Sequence, residues 1–131
     1  MNLNFIFFII FSLFYNTIYA QFGEQQVISV DGFNPHDVIA ADLDGDGFWD
    51  VISASAGDAK LAWYKNLDGQ GDFGHQQIVT EELSGIRKVF AADLDGDGDL
   101  DLLSQDGGFD IVVWFENLDG LGNFGTQNFI T

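Results

Sequence analysis

The chain has 131 residues and a formal net charge of −17, with four Lys or Arg against 21 Asp or Glu. A surface this acidic repels nucleic acid and anionic membranes, which excludes both as expected partners. Aromatics at 15% and 16 glycines set the chain apart from a disordered acidic tail, and the absence of cysteine removes disulfides and thiol chemistry.

In chain order, residues 1–20 read as a secretory signal peptide. They carry no charged side chain, and Phe5 to Tyr15 form an apolar run broken only by Ser12. Ile18-Tyr19-Ala20 ends in a small residue, which places cleavage before Gln21. The n-region departs from the usual pattern in lacking Lys and Arg. A retained anchor is the alternative, but the apolar run is shorter than the roughly 20 residues that a spanning helix needs. The expected location is secreted or cell-surface, with no stable membrane span after cleavage.

Beyond Ala20 the chain repeats itself every 51 residues. Asp42 returns as Asp93, Trp63 as Trp114 and Asn66 as Asn117, and the pair Phe22-Gly23 recurs at 73–74 and 124–125. This period points to a propeller or a solenoid. It divides residues 21–131 into units 22–72 and 73–123, with a third beginning near 124. The segments between turn signals are short and rich in Val, Ile, Phe, Trp and Tyr, which predicts strands rather than helices. In the first unit strands are expected near 25–30, 38–41, 50–54 and 60–65. In the second they are expected near 75–80, 88–92, 101–104 and 111–116. Four strands per unit is the requirement of a propeller blade.

Each unit contains one nine-residue acidic stretch, Asp42-Leu43-Asp44-Gly45-Asp46-Gly47-Phe48-Trp49-Asp50 and Asp93-Leu94-Asp95-Gly96-Asp97-Gly98-Asp99-Leu100-Asp101. Four carboxylates at positions 1, 3, 5 and 9 repel one another unless a cation lies among them. Oxygen ligands at alternate positions suit a hard ion, calcium above all. Glycine at position 6 fits the sharp turn of a calcium loop. A helix-flanked calcium hand is excluded, because position 12 holds Ser53 or Ser104 where that motif needs Glu, and strand-like sequence follows. The competing reading is a solvated Asp-Gly turn; two copies with the same four Asp positions favour calcium. A second repeated polar loop, residues 66–72 and 117–123, is better read as a hairpin of turn-forming residues than as an ion site.

Catalytic signals are thin. His36 and His75 are the only histidines, neither accompanies a nucleophile motif, and both read as surface residues. Trp63 and Trp114 share one offset, which speaks for packing between sheets more than for sugar stacking. Trp49, inside the first acidic stretch, is the aromatic best placed to meet a ligand.

Together these residues resemble the FG-GAP/VCBS repeat family, whose blades also occur in the heads of integrin alpha subunits. The resemblance rests on the two Ala-Ala-Asp-Leu-Asp-Gly-Asp-Gly segments, the Asp that closes each, and the Asn-Leu-Asp-Gly-x-Gly-x-Phe-Gly joints. It implies an all-β fold of calcium-binding β-propeller blades, about one ion per complete repeat. The implied ligands are the side chains of Asp42, Asp44, Asp46 and Asp50 with the Phe48 carbonyl. In the second unit they are Asp93, Asp95, Asp97 and Asp101 with the Asp99 carbonyl. Closed propellers have roughly four to eight blades. Two blades and the start of a third are therefore expected to be the N-terminal piece of a longer protein, or a short protein whose ring other copies complete. The expected function is a secreted, non-catalytic calcium module for adhesion or for binding a protein or glycan, with self-association through the incomplete propeller. The alternative is the non-catalytic N-terminal part of a secreted enzyme whose catalytic domain lies beyond residue 131.

Overall fold

The computed structural model describes residues 24–130. The expected signal peptide lies outside the described residues. Eight strands form two four-stranded antiparallel sheets, each with its strands in sequence order. The first contains β1 (Pro35–Ala41), β2 (Asp50–Ser55), β3 (Lys60–Tyr64) and β4 (Gln77–Thr80). The second contains β5 (Val89–Ala92), β6 (Asp101–Asp106), β7 (Ile111–Phe115) and β8 (Asn128–Ile130). The all-β reading of the sequence holds, and the described residues contain no helix.

The sheets fall out of phase with the sequence units. Residues 77–80, expected to begin the second unit, instead pair with β3 and complete the first sheet. Residues 128–130 close the second sheet in the same way. The strand expected at 25–30 is absent. Its counterpart 51 residues on pairs with the β3 strand before it, and no described residue precedes 25–30 in that role. An unpaired segment leaves its backbone N–H and C=O groups to water, so sequence preference alone does not make it a strand. The acidic loops consequently join the first and second strands of each sheet, rather than the second and third.

Alternation along the strands sends one side-chain set to each face. On the first sheet, Ile39, Ile52 and Trp63 lie opposite one another, as do Ala54 and Leu61. On the second, Val89 lies opposite Ser104 and Val113, and Ala91 opposite Leu102 and Phe115. These two faces pack together. Ile52, Ala54, Leu61, Val89, Leu102 and Val113 are fully buried, and Trp63 and Phe115 nearly so, with Leu83 and Ile86 of the connection packed among them. Complete burial of each large aliphatic or aromatic side chain contributes about 1.5–3 kcal/mol. Trp63 therefore packs between sheets, as its recurrence suggested.

Trp114 does not. It lies on the opposite face of the second sheet, level with Phe90 and Leu103. That face repeats, 51 residues on, the surface by which the first sheet contacts the second: Ile39, Ile52, Leu61 and Trp63 become Phe90, Leu103, Val112 and Trp114. Among the described residues nothing covers it, and Phe90 is 59% exposed.

One ionic contact also joins the sheets. Asp37 on β1 accepts hydrogen bonds from the Val89 backbone N–H at 3.1 Å and from Lys88 Nζ at 3.3 Å. Burial pushes its carboxyl upward, but the Val89 N–H and the Lys88 ammonium outweigh this and hold it below the ordinary value of 3.8. The stabilisation is therefore complete above that ordinary value and is lost as pH falls through the depressed folded-state value. Asp37→Asn is expected to cost about 1 kcal/mol at neutral pH, and the cost should vanish in acid. Urea denaturation of the two proteins across pH 2–7 checks this.

Candidate metal centre

Each acidic loop is folded by its own carboxylates. Asp42 Oδ2 accepts from the Gly47 N–H at 3.0 Å, and Asp93 Oδ2 from the Gly98 N–H at 3.2 Å. Both glycines have positive φ, 88° and 101°, a conformation that side-chain-bearing residues rarely adopt. Asp46 Oδ1 accepts from Phe48 N–H and Asp97 Oδ1 from Asp99 N–H, each at 2.9 Å. These short turns pull the chain round so that alternate carboxylates converge.

Three of the four aspartates converge in each loop. One carboxylate oxygen from each of Asp42, Asp44 and Asp50 lies within 4.8 Å of the other two, and Asp93, Asp95 and Asp101 form the same group. At such separations each pair of ionised carboxylates repels by roughly 3 kcal/mol at an effective dielectric near 20. Asp46 and Asp97, at position 5, stand outside these triads. Asp46 instead pairs with Lys65 Nζ at 2.9 Å, and Lys65 also pairs with Asp44. Lys65, with help from the Phe48 N–H, holds the Asp46 carboxyl below its ordinary range. Asp44 and Asp46 in turn hold the Lys65 ammonium well above its own.

The position-9 aspartates do more than the sequence disclosed. Asp50 is fully buried and Asp101 is 1% exposed. Asp50 Oδ2 accepts from the Leu43 N–H and Oδ1 from the Asn66 N–H, both at 2.9 Å. Asp101 repeats this with the Leu94 N–H at 3.0 Å and the Asn117 N–H at 2.9 Å. Each carboxylate thus ties the start of its acidic loop to the start of the polar loop that follows β3 or β7. Burial pushes the Asp50 carboxyl up, against the Asn66 and Leu43 N–H groups, and the charges of Asp44 and Asp46 push it further. Each oxygen keeps a second lone pair with which to meet a cation.

The polar loops are turns, closed by Leu67 N–H to Asp72 O at 2.7 Å and by Leu118 N–H to Asn123 O at 3.0 Å. Their leading asparagines are structural residues that composition did not single out. Asn66 Nδ2 donates to Trp49 O at 3.1 Å, and its Oδ1 accepts from Gly69 N–H at 2.9 Å. Asn117 Nδ2 donates to Leu100 O at 3.3 Å and, across the sheets, to Leu43 O at 2.8 Å. Its Oδ1 accepts from Gly122 N–H at 3.0 Å. A side chain at Gly69 would meet the Phe48 ring, and one at Gly120 the Asp99 carboxylate, so both position-7 side chains lie over the polar loops. Burial, then the charge of Asp97, pushes the Asp99 carboxyl up.

The donors fit a hard cation. Every side-chain donor is a carboxylate oxygen, and Asp42 Oδ1 is buried with no hydrogen-bond partner.

Residues 42–104, from the first aspartate of the first loop to the serine in β6 beyond the second, match the family model described as FG-GAP-like repeat. That segment is similar to an FG-GAP-like repeat. Comparison with curated proteins and with solved structures gives no match. The two sheets are accordingly blades of a β-propeller-type module, and the acidic loops of the FG-GAP-like segment lie between the first two strands of each blade.

Asn117 makes an inter-blade bond to Leu43, whereas among the described residues Asn66 bonds only within its own blade. Asn117→Ala is expected to cost about 2–4 kcal/mol, because it leaves the Leu43 carbonyl and Gly122 N–H without partners. Asn66→Ala should cost less. Chemical denaturation of the two variants side by side checks the order.

Proposed function

We propose that this chain is a secreted calcium-binding propeller module that works by binding a protein or glycan, as in adhesion, and not by catalysis. The observation that carries the calcium reading is the pair of converging carboxylate triads, with Asp42 Oδ1 buried and partnerless in the first. Asp42, Asp44 and Asp50 would hold one ion and Asp93, Asp95 and Asp101 the other. Asp46, Asp97 and the Phe48 and Asp99 carbonyls complete the set that the FG-GAP resemblance implies. Bound calcium supplies positive charge that cancels the repulsion within each triad.

Export is supported by the signal-like residues 1–20 and suits calcium loops, since extracellular modules bind the ion at modest affinity. The non-catalytic reading is supported by the histidines. Both are exposed, with His36 on β1 and His75 just before β4, at opposite edges of the first blade. Trp49 stands 68% exposed beside the first site, where an aromatic face can stack on a ligand.

Calorimetric titration with calcium should show two ions per chain. At a hundredfold excess over the dissociation constant, each site should add about 2.7 kcal/mol of stability, removed again by a chelator. A folded chain that binds no calcium would reduce the acidic loops to ordinary turns.

The open face of the second blade is the surface for self-association. Because Phe90, Leu103, Val112 and Trp114 repeat the first blade's buried contact, a second copy fits head to tail, presenting the other face of its first blade. Val112→Lys should shift sedimentation towards monomer with calcium stoichiometry unchanged. Unaltered self-association in that variant would place the contact elsewhere.

A further inference from the structure

The two acidic loops share their aspartates but not their surroundings. Lys65, the residue just after β3, reaches into the first loop and pairs with both Asp44 and Asp46. The Asp44 side chain is only 5% exposed, so the ammonium meets a carboxylate that belongs to the converging triad. The residue 51 positions on is Glu116. None of the chain's four Lys and Arg side chains forms an ion pair with an aspartate of the second loop.

Resting on the calcium reading above, we propose that Lys65 is a built-in competitor for the first loop, an ammonium that a metal ion must displace. Calcium entering the second loop meets uncompensated carboxylates, held only by backbone N–H groups. Calcium entering the first loop exchanges one cation for another. It must break two ion pairs, one of them to a ligand carboxylate, and the released ammonium stays tethered nearby as a like charge. Lys65 therefore sets the affinity of the first loop below that of its carboxylates alone. It also lets this loop keep its fold when calcium is scarce, because Asp44 and Asp46 remain compensated. The second loop has no such reserve. The Lys65 side chain is 34% exposed, so its competition should weaken as ionic strength rises.

The test is calcium titration of the full chain by calorimetry. The double substitution Asp93→Asn and Asp95→Asn disables the second loop and isolates the first. Adding Lys65→Met, which keeps the apolar stem and removes the charge, should strengthen the remaining site about fivefold, the equivalent of one modest ion pair. In the otherwise native chain, Glu116→Lys should weaken the second site by a similar factor. An isolated first loop whose affinity is unchanged or reduced by Lys65→Met would overturn the proposal, with the calcium reading intact. Failure of the native chain and all variants to bind calcium would overturn both.

Discussion

The structure depends on a buried carboxylate shared between two backbone N–H groups. Asp50 holds the Leu43 and Asn66 amides, and Asp101 holds those of Leu94 and Asn117. A charge taken out of water is tolerable only with donors of this kind around it. The clasp brings together points 7 and 16 residues away in sequence, which fixes where the acidic loop starts and where the third strand ends. Once the clasp is closed, Asp42 and Asp44 are brought against the same carboxylate. The fold thereby creates the repulsion that a cation would relieve, and a cation bound there would be coupled to the order of the loop.

Much of this was legible in the sequence, for identifiable reasons. A strict repeat makes every strand and loop appear twice, so alternation that is ambiguous once becomes clear when repeated. Seven of the eight strand regions expected in the two units, all but 25–30, form strands within a few residues of the expected bounds, and each acidic loop falls where the pattern puts it. What escaped was relational. Periodicity gives the length of a unit but not where the sheet boundary falls within it, so residues 77–80 read as the start of the second unit although they pair back to β3. The segment at 25–30 has strand composition and no partner. The clasp was hidden because an aspartate at position 9 reads the same whether it serves an ion, two amides or both. Lys65 was hidden because its partners are 19 and 21 residues away, with nothing local to mark the contact.

The departures from symmetry bear most on function. Leu43 is almost fully buried, whereas its counterpart Leu94 is 42% exposed, because among the described residues a second blade and Asn117 cover the first loop and nothing equivalent covers the second. Trp63 is enclosed and Trp114 lies on an open face. Lys65 is basic and Glu116 acidic. Two loops with nearly the same aspartates are thus embedded differently, one packed and internally compensated, the other open and acidic. The match of residues 42–104 to the FG-GAP-like repeat model spans both acidic loops, the part the blades share. Their surroundings determine how each behaves.

The central claim is that the Asp50 and Asp101 clasps and cation binding are one coupled event. Amide hydrogen exchange at Leu43, Asn66, Leu94 and Asn117, with calcium and after chelation, tests it most directly. The account predicts that calcium slows exchange at these four amides more than at the strand amides of the same sheets. Calcium binding that leaves these amides unchanged, or slows all amides equally, would contradict the coupling and leave the clasp a purely structural device.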